Sequence, residues 1–542
     1  MSLRPWHWNA LACACAALLG FLLARKQEPP QGPPPPGANI PHKTSVQNPT
    51  RPAPPSPEPG SELSAAESAR VGDIQARARG ALSRQRAIRF ASKEALARFL
   101  KAAEGRVEVL DQLEDLRAVR IRFGTLSDLE SLLDGSEQTG FIFPVIPPNP
   151  RGGDVQQNAV PLGAGLLRWL GVENAEPSWG RGVKIAVLDT GVAPHPTFPK
   201  DVPNVVLVPS QTPADQWYGH GTAVTSLIVG QLRDAPGVAP GADITSYRVS
   251  DDKGRSDTWT LAAAIRRAVD EGHHILSISM GSYGDSPLMR DAVLYAVQAG
   301  AVVVASSGNE GLDKPTFPAA YPSVVKAVAV DALGDPLLFS NQADASALAA
   351  PGWAVQAAYP QNAIVEFSGT SASAPIISGV LATVMTQATA GKMLHAYEAL
   401  TLLYAYANEA GTAGVDPHAG SGSVHLGRIL ERNIPQLQDA AVASQVFHPP
   451  AEGSAPSVEV NVQNQGTETL TNLPIRVSSP ANVSQFSIPV LEPGKVHTLR
   501  VPIPAPLFGP GFSLSATTEI LRPDKHPANN QKTNSYLPPK TP

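Results

Sequence analysis

Residues 183–192 read VKIAVLDTGV, and this stretch decides the fold class. Its almost unbroken apolar run ends at Asp189, as expected of a parallel strand that is buried on both faces. Comparable runs and intervening helical stretches follow along the chain, the runs at 242–249, 273–280, 301–308 and 324–330 and the helical stretches at 258–272 and 287–300. This alternation predicts an α/β domain with a parallel sheet, whose functional residues lie beyond the carboxyl ends of the strands.

Three polar residues stand where such a sheet gathers side chains at one cleft. Asp189 closes the first strand, His220 begins the helical stretch GHGTAVTSLI, and Ser371 opens a helix in SGTSASAP. We expect Pro375 near the first turn of that helix, where its missing N–H is tolerated. A serine hydroxyl needs a base, imidazole can take and return its proton, and a buried carboxylate fixes the imidazole tautomer. The three residues supply these groups.

A fourth residue extends the pattern. Asn309 lies in a glycine-flanked turn of VVVASSGNEG, directly after a predicted strand. Its side-chain amide is suited to donate to the oxyanion of a tetrahedral intermediate, together with the backbone N–H of Ser371. Each motif alone is commonly a plain turn, a helix start or an N-cap. The four in this order predict nucleophilic acyl transfer.

These segments resemble the subtilases, the subtilisin-like serine peptidases, whose triad runs Asp, His, Ser along the chain. The resemblance covers about residues 165–433 and includes GVAPGADITSYRV (237–249) and ILSISMGS (275–282). It implies a subtilisin-like fold and endopeptidase activity, with Asp189, His220, Ser371 and Asn309 in the four catalytic roles. No cofactor is implied for the chemistry. Structural calcium is left open, since the stretch 226–236 is shorter than the calcium loop of some relatives.

The resemblance also implies that a protein or peptide substrate adds as a strand between two segments of the enzyme. The substrate-binding residues it implies are Gly254, Arg255, Ser256, Ser279, Met280, Gly281, Ser306, Ser307 and Gly308, with Glu310 at the edge of the main pocket. Three carboxylates near these segments have two possible roles. They could favour basic substrates, or, as is commoner for acidic loop residues, they could simply be solvated. The three residues are Asp251, Asp252 and Asp285.

The residues before this domain have the pattern of a small α+β unit. Residues 82–147 follow the order β-α-β-β-α-β, which is the ferredoxin-like arrangement. Directly ahead of a subtilase domain, this unit resembles the family's inhibitory propeptide. The resemblance implies that its last strand, Phe141 to Pro147, lies in the substrate groove, and that the chain is a zymogen which cuts itself between about residues 146 and 165. A permanent N-terminal domain is the alternative.

The residues after this domain alternate in polarity, as in SVEVNVQN (457–464) and VHTLRVPI (496–503). They predict an all-β antiparallel sandwich over 453–542, preceded by a linker at 434–452. The sandwich resembles bacterial immunoglobulin-like adhesion modules of the CARDB type. Its implied role stays open between binding a surface or substrate and capping the enzyme.

The N-terminal residues are of a different kind. Ala10 to Ala24 form an uncharged run followed by Arg25 and Lys26, which predicts an export signal or an uncleaved membrane anchor within residues 1–26. Both alternatives place the remainder outside the cytoplasm, secreted, periplasmic or anchored. Residues 27–81 are rich in proline and predict a disordered linker.

Composition limits the alternatives for function. The chain has 542 residues, enough for three or four folded units, and a net charge of −5 without a basic block. Nucleic-acid binding is therefore excluded as the expected function. Its two cysteines, Cys13 and Cys15, both lie in the N-terminal run, so a disulfide framework is excluded elsewhere. The prediction is an extracytoplasmic serine endopeptidase. The alternative is a non-catalytic adhesion protein on a subtilase scaffold, which should have lost a triad residue or Asn309, and none of these is lost.

Overall fold

The computed structural model describes residues 65–148, 159–387, 392–449, 455–479, 482–503 and 514–536. The predicted signal or anchor and both cysteines lie outside these ranges. No helix within these ranges is long and apolar enough to cross a membrane. The same ranges contain no group of three or more His, Cys, Asp or Glu side chains placed to hold a metal ion.

The N-terminal unit is a four-stranded antiparallel sheet with helices. Its elements are α1 (Ala65–Ala78), β1 (Gln85–Arg89), α2 (Lys93–Ala103), β2 (Glu108–Leu113), β3 (Ala118–Arg122), α3 (Leu126–Glu130) and β4 (Gln138–Gly140), and the strand order is β2-β3-β1-β4. The Ser92 hydroxyl caps α2 by accepting a hydrogen bond from the Ala95 N–H. Leu96 and Phe99 of this helix are buried against Ile88 of the sheet, which closes a separate small core.

Two sequence predictions for this region need correction. The disordered linker predicted at 27–81 is wrong for residues 65–78, which form α1. The prolines end at Pro59, good helix formers follow, and Asp73 pairs with Arg86 of the sheet at 2.6 Å. The single last strand predicted from Phe141 to Pro147 is instead not continuous: β4 already ends at Gly140, and a short β5 (Pro144–Val145) leaves the sheet altogether.

The central domain contains a seven-stranded sheet whose strand pairs are all parallel, in the order β15-β14-β13-β12-β6-β10-β7. The predicted parallel α/β domain is therefore confirmed. The seven strands are β6 (Lys184–Asp189), β7 (Asn204–Val206), β10 (Asp243–Arg248), β12 (Ile275–Ile278), β13 (Val302–Ser306), β14 (Val325–Val330) and β15 (Ala347–Pro351). Of these, β7 and β15 are not anticipated by the sequence patterns.

Short strand pairs and helices complete the domain. The strands are β8 (Gln231–Leu232), β9 (Ala235–Pro236), β11 (Ser256–Asp257), β16 (Val355–Tyr359) and β17 (Ala363–Phe367), and the helices are α4 (Leu166–Trp169), α5 (His220–Val229), α6 (Thr258–Asp270), α7 (Pro287–Gln298), α8 (Thr370–Met385), α9 (Ala396–Ala405) and α10 (Leu426–Glu431). Two apolar cores result, one of the sheet with α5, α8 and α9, the other of the sheet with α6 and α7. Helices thus cover both faces of the sheet, which leaves the strand ends for a cleft.

The C-terminal unit consists of two antiparallel sheets around one apolar core. One sheet has the order β18-β19-β22 and the other β21-β20-β23-β24. The strands are β18 (Ala440–His448), β19 (Ser457–Asn464), β20 (Leu470–Ser479), β21 (Asn482–Leu491), β22 (Val496–Pro502), β23 (Leu514–Ile520) and β24 (Gln531–Tyr536). The linker predicted at 434–452 is wrong because it contains β18. Polar residues of β18 such as Ser444 and Gln445 are buried, so the strand lacks the usual alternation.

Candidate active site

The carboxylate of Asp189 and the imidazole of His220 form a buried pair. Asp189 ends β6, and His220 is the first residue of α5. Nδ1 of His220 lies 2.8 Å from Oδ1 and 3.0 Å from Oδ2 of Asp189. The Thr190 N–H also donates to Oδ1, at 2.7 Å. With Nδ1 held as the donor, the tautomer of neutral His220 leaves Nε2 as the proton acceptor.

Glycine at position 221 permits this close approach. A Cβ atom there would stand 2.4 Å from the carbonyl oxygen of Gly191 and 3.2 Å from Oδ1 of Asp189. Contacts of this length are not tolerated, so any side chain would push α5 away from the end of β6. Gly221 is therefore a packing requirement of the pair, whereas Gly219 on the other side of His220 makes room for Tyr359 and Pro360.

Ser371 is the second residue of α8 and is fully buried. Pro375 lies four residues later, in the second turn of the helix, and has no N–H to donate to the Ser371 carbonyl. The Ser279 hydroxyl donates to that carbonyl instead, at 3.0 Å. In return, the Ser371 hydroxyl donates to the Ser279 carbonyl at 3.3 Å. Two reciprocal hydrogen bonds thus join the start of α8 to the segment after β12.

The hydrogen bond between the hydroxyl of Ser371 and Nε2 of His220 is not formed in this structure. Nε2 is buried and has no hydrogen-bond partner among the described residues. An edge-to-face contact with the Phe367 ring, 5.2 Å between centroids, covers the imidazole. Catalytic hydrogen bonds of this type are often completed only when substrate is bound, so the arrangement has the groups of a triad in a resting state.

The Asn309 side chain is fixed at both of its ends. Its Oδ1 accepts hydrogen bonds from the backbone N–H and the hydroxyl of Thr370, each at 2.9 Å. Its Nδ2 donates to the carbonyl oxygen of Pro148 at 2.6 Å. A Cβ on Gly369, which has a φ of +117°, would stand 2.5 Å from Nδ2, so the glycine is required here. The amide therefore points at a carbonyl of the N-terminal unit's last segment.

That last segment runs through a groove between two segments of the central domain. β5 pairs antiparallel with β11 on one side. On the other side, Ile146 and Gly281 exchange two backbone hydrogen bonds, of 3.1 and 3.0 Å. Next in line, Pro147 lies beside Gly254, with its Cγ 3.4 Å from where a Cβ of Gly254 would be. The segment from Pro144 to Pro148 is thus a central strand between two edges, which is how an extended peptide binds by strand addition.

Comparison with known proteins identifies the central domain. The Subtilase family matches residues 180–422. Thermitase from Thermoactinomyces vulgaris is 33% identical over 223 residues, which are 40% of this chain and 80% of thermitase. The chain belongs to the subtilase family. A thermostable alkaline protease from Halalkalibacterium halodurans is 34% identical over 215 residues, but the match spans only 58% of that relative and 39% of this chain.

A solved structure is also similar to part of the chain. The patellamide maturation protease PatA shares 31% sequence identity, with a TM-score of 0.40, over 46% of this chain and 95% of its own. The family match lies within the central domain, at residues 180–422.

Three of the residues predicted to bind substrate line the groove, namely Gly254, Ser256 and Gly281. Ser256 pairs with Val145, and Gly281 pairs with Ile146. Met280 contributes no side chain to the groove, because it belongs to the core with α6 and α7. Ser306, Ser307 and Gly308 follow one another at the end of β13 and are buried. Glu310 turns back on its own loop and accepts a hydrogen bond from the Asn309 N–H at 2.9 Å.

Each of the three aspartates singled out near the groove is paired with an arginine of the same chain. Asp251 binds Arg255, Asp252 binds Arg248, and Asp285 binds Arg290. A hydrogen bond from the Ser210 hydroxyl, together with the Arg248 guanidinium, lowers the pKa of Asp252 below its ordinary value. These ion pairs already satisfy the carboxylates, which removes the reason for expecting a preference for basic substrates.

The sequence analysis missed three contributors to this site. Thr370 orients Asn309, the Ser279 hydroxyl supports Ser371, and Pro148 provides the carbonyl that Asn309 binds. Pro375 was the available signal for the second, since a proline in an early helical turn leaves one carbonyl without its N–H partner. The other two depend on contacts between distant segments, for which the local sequence gives no sign.

Proposed function

We propose that the chain is an extracytoplasmic serine endopeptidase that is made as a self-processing zymogen. The observation that carries this proposal is the carbonyl of Pro148 at 2.6 Å from Nδ2 of Asn309, whose Oδ1 binds Thr370, the residue before Ser371. The buried Asp189–His220 pair supplies the base. A peptide carbonyl on a preorganised donor is the arrangement that acyl transfer needs. Family membership supports the same activity.

In the proposed mechanism, Nε2 of His220 takes the proton of the Ser371 hydroxyl as Oγ attacks the substrate carbonyl. Nδ2 of Asn309 and the Ser371 N–H stabilise the resulting oxyanion, and Asp189 stabilises the imidazolium. His220 then protonates the leaving amine, which departs. A water molecule, deprotonated by His220, hydrolyses the acyl-enzyme and restores Ser371.

The zymogen proposal has its support in the N-terminal unit. The unit with the four-stranded sheet ends in the segment that fills the groove, so substrates and this segment compete for the same backbone hydrogen bonds. Cleavage between about residues 146 and 165 would separate the unit from the enzyme. Export is supported by the apolar run at 10–24 alone.

The test compares the full wild-type chain with Ser371→Ala and Ser378→Ala, by intact mass, N-terminal sequencing and hydrolysis of casein. Ser378 lies on the same helix, and its hydroxyl donates to the Ala374 carbonyl within that helix, at 2.9 Å. We expect wild type and Ser378→Ala to lose the N-terminal unit and to hydrolyse casein, whereas Ser371→Ala stays intact and inactive. Equal masses and no hydrolysis in all three would favour the non-catalytic scaffold.

A further inference from the structure

The backbone hydrogen bonds of the groove fix the register of the bound segment. Ile146 exchanges both of its backbone hydrogen bonds with Gly281, and the carbonyl two residues later, that of Pro148, accepts from Asn309. The carbonyl that receives the oxyanion donor is the one that the nucleophile attacks. Pro148 therefore occupies the position before the scissile bond.

The pocket for that position is partly filled by the enzyme itself. Thr316 is buried between the end of β13, at Ser306 and Ser307, and the groove segment that contains Gly281. Its hydroxyl lies 3.4 Å from the Ser306 carbonyl and 3.3 Å from the Ser307 carbonyl. On the opposite wall, a Cβ on Gly281 would stand only 2.2 Å from the Thr316 hydroxyl oxygen. A branched side chain thus stands where a deep pocket would need open space.

Backbone pairing holds Thr316 in this place. Its N–H donates to the Ser307 carbonyl at 2.8 Å, and the next residue, Phe317, exchanges two hydrogen bonds with Ser282, of 2.7 and 2.9 Å. The two walls are thereby tied together through residues 316 and 317. A bulky substrate side chain cannot widen the pocket without breaking these bonds, so the restriction is rigid.

Proline fits a shallow pocket but has one disadvantage. It has no N–H to donate to the wall, and the Ser279 carbonyl accepts the Ser371 hydroxyl instead. A residue as small as proline that keeps its N–H can bind that carbonyl and release Ser371 for His220. Alanine before the scissile bond is therefore expected to react faster than proline, and proline faster than a large aromatic residue.

The geometry points to the peptide bond on the carboxyl side of Pro148 as the processing bond, and to protein segments with a small residue or proline at that position as the substrate class. The inference rests on the proposed function. Oγ of Ser371 forms an ester with the Pro148 carbonyl carbon, the bond to the nitrogen of Asn149 breaks, and that nitrogen receives through His220 the proton that Ser371 lost. Water then hydrolyses the ester, which leaves a Pro148 carboxylate and restores the Ser371 hydroxyl.

The experiment follows self-processing of the full chain by N-terminal sequencing and intact mass over time. We expect the wild-type product to begin at Asn149, Pro148→Ala to process at the same bond and faster, and Pro148→Phe to process about 10- to 100-fold more slowly. Thr316→Gly, which opens the pocket, should restore the rate when combined with Pro148→Phe. Thr316→Ser, a milder change, should restore part of it. Pro435→Phe, at an exposed position outside the groove, is the matched control and should process as wild type.

Each other outcome overturns a defined part. A product that begins elsewhere overturns the processing bond, and equal rates for Pro148→Ala and Pro148→Phe overturn the size limit set by Thr316. If the wild-type chain stays uncut but hydrolyses casein, this inference fails and the proposed peptidase remains. If neither processing nor casein hydrolysis occurs, the proposed function fails as well.

Discussion

The N-terminal and C-terminal units differ in where they contact the subtilase domain relative to the candidate site. The N-terminal unit contacts it through the substrate groove, where its last segment binds Asn309 and pairs with Gly281. The C-terminal unit contacts loops and helices whose residues are not part of the candidate site, such as Ala407, Gly411 and Arg428. Under the proposed function, only the first contact competes with substrate. The proposal therefore distinguishes a neighbour that must leave for activity from one that can stay.

The chemistry of the two contacts also makes the N-terminal unit easier to separate from the subtilase domain than the C-terminal unit. Outside the groove, the N-terminal unit is held by apolar residues such as Leu116 and Ile142, which share a core with α6 and α7. Separate polar contacts add to this, including Arg120–Asp257 at 2.8 Å and the Trp259 indole N–H to Asp111 at 2.9 Å. On the C-terminal side, polar side chains of β19 are buried between the two bodies. Glu459 accepts from the Ala413 N–H, and Gln463 accepts from the Glu409 N–H, each at 3.1 Å. Separation of the two bodies there would leave many buried polar groups without their hydrogen-bond partners.

The largest effect is expected from Arg428 at the C-terminal contact. Its buried guanidinium donates to the carbonyls of Tyr406, Ala407 and Gln465, and burial lowers its pKa to about 10. Arg428→Met should reduce the free energy of unfolding by about 3–5 kcal/mol, because these carbonyls lose their partner. Urea unfolding of the Ser371→Ala chain measures this without self-digestion. The control is Arg476→Met, which removes a solvent-accessible ion pair with Glu519 and should change the free energy of unfolding by less than about 1 kcal/mol. An equal loss of stability in the two variants would contradict the comparison.

A pH effect of intermediate size is expected from His425, the N-cap of α10. Burial, with the nearby charges of Arg428 and His526, lowers the pKa of His425 from 6.5 to about 3. Below pH 6.5 the unfolded chain binds a proton at His425 that the folded chain does not bind. The free energy of unfolding therefore decreases as the pH falls from 6.5 towards 3, by at most about 1.4 kcal/mol per pH unit.

His425→Asn should flatten this pH dependence, since asparagine can also accept from the Arg428 N–H that Nδ1 of His425 caps at 3.1 Å. Urea titrations at pH 7 and pH 5, again on the Ser371→Ala background, measure the difference. An unchanged slope between the two pH values would show that other groups carry the acid sensitivity of the C-terminal contact.

The smallest effect is expected at the N-terminal contact. Arg120→Met removes the ion pair with Asp257, in which both side chains are 16% exposed. The substitution should weaken binding of the N-terminal unit to the subtilase domain by about 1–2 kcal/mol, or roughly 5- to 30-fold. The delay between processing and full casein hydrolysis should shorten accordingly. Arg122→Met, two residues further along β3 and paired with Glu108 in solvent, should leave the delay unchanged. A shortened delay in both variants would argue against a specific contact.

The sequence predicted those parts of the molecule whose signals are local. Asp189, His220, Ser371 and Asn309 follow from strand ends and helix starts, because these positions are encoded by a few adjacent residues. The strand β7 was missed because it is only three residues long and incompletely buried, and β18 because buried polar residues conceal its alternation. The course of Pro144 to Pro148 through the groove depends on pairing with β11 and Gly281, more than a hundred residues away in the chain, and was expected only from the family resemblance, not from local patterns.

The reciprocal hydrogen bonds between Ser279 and Ser371 have a mechanical consequence. One residue of the groove wall supports the helix that carries the nucleophile and also holds the nucleophile's own hydroxyl. Force applied to the wall by an incoming peptide is therefore transmitted directly to Ser371, without any intervening element. An occupant of the groove whose backbone offers an N–H to the Ser279 carbonyl displaces the Ser371 hydroxyl from it, whereas an occupant without that N–H leaves the hydrogen bond in place.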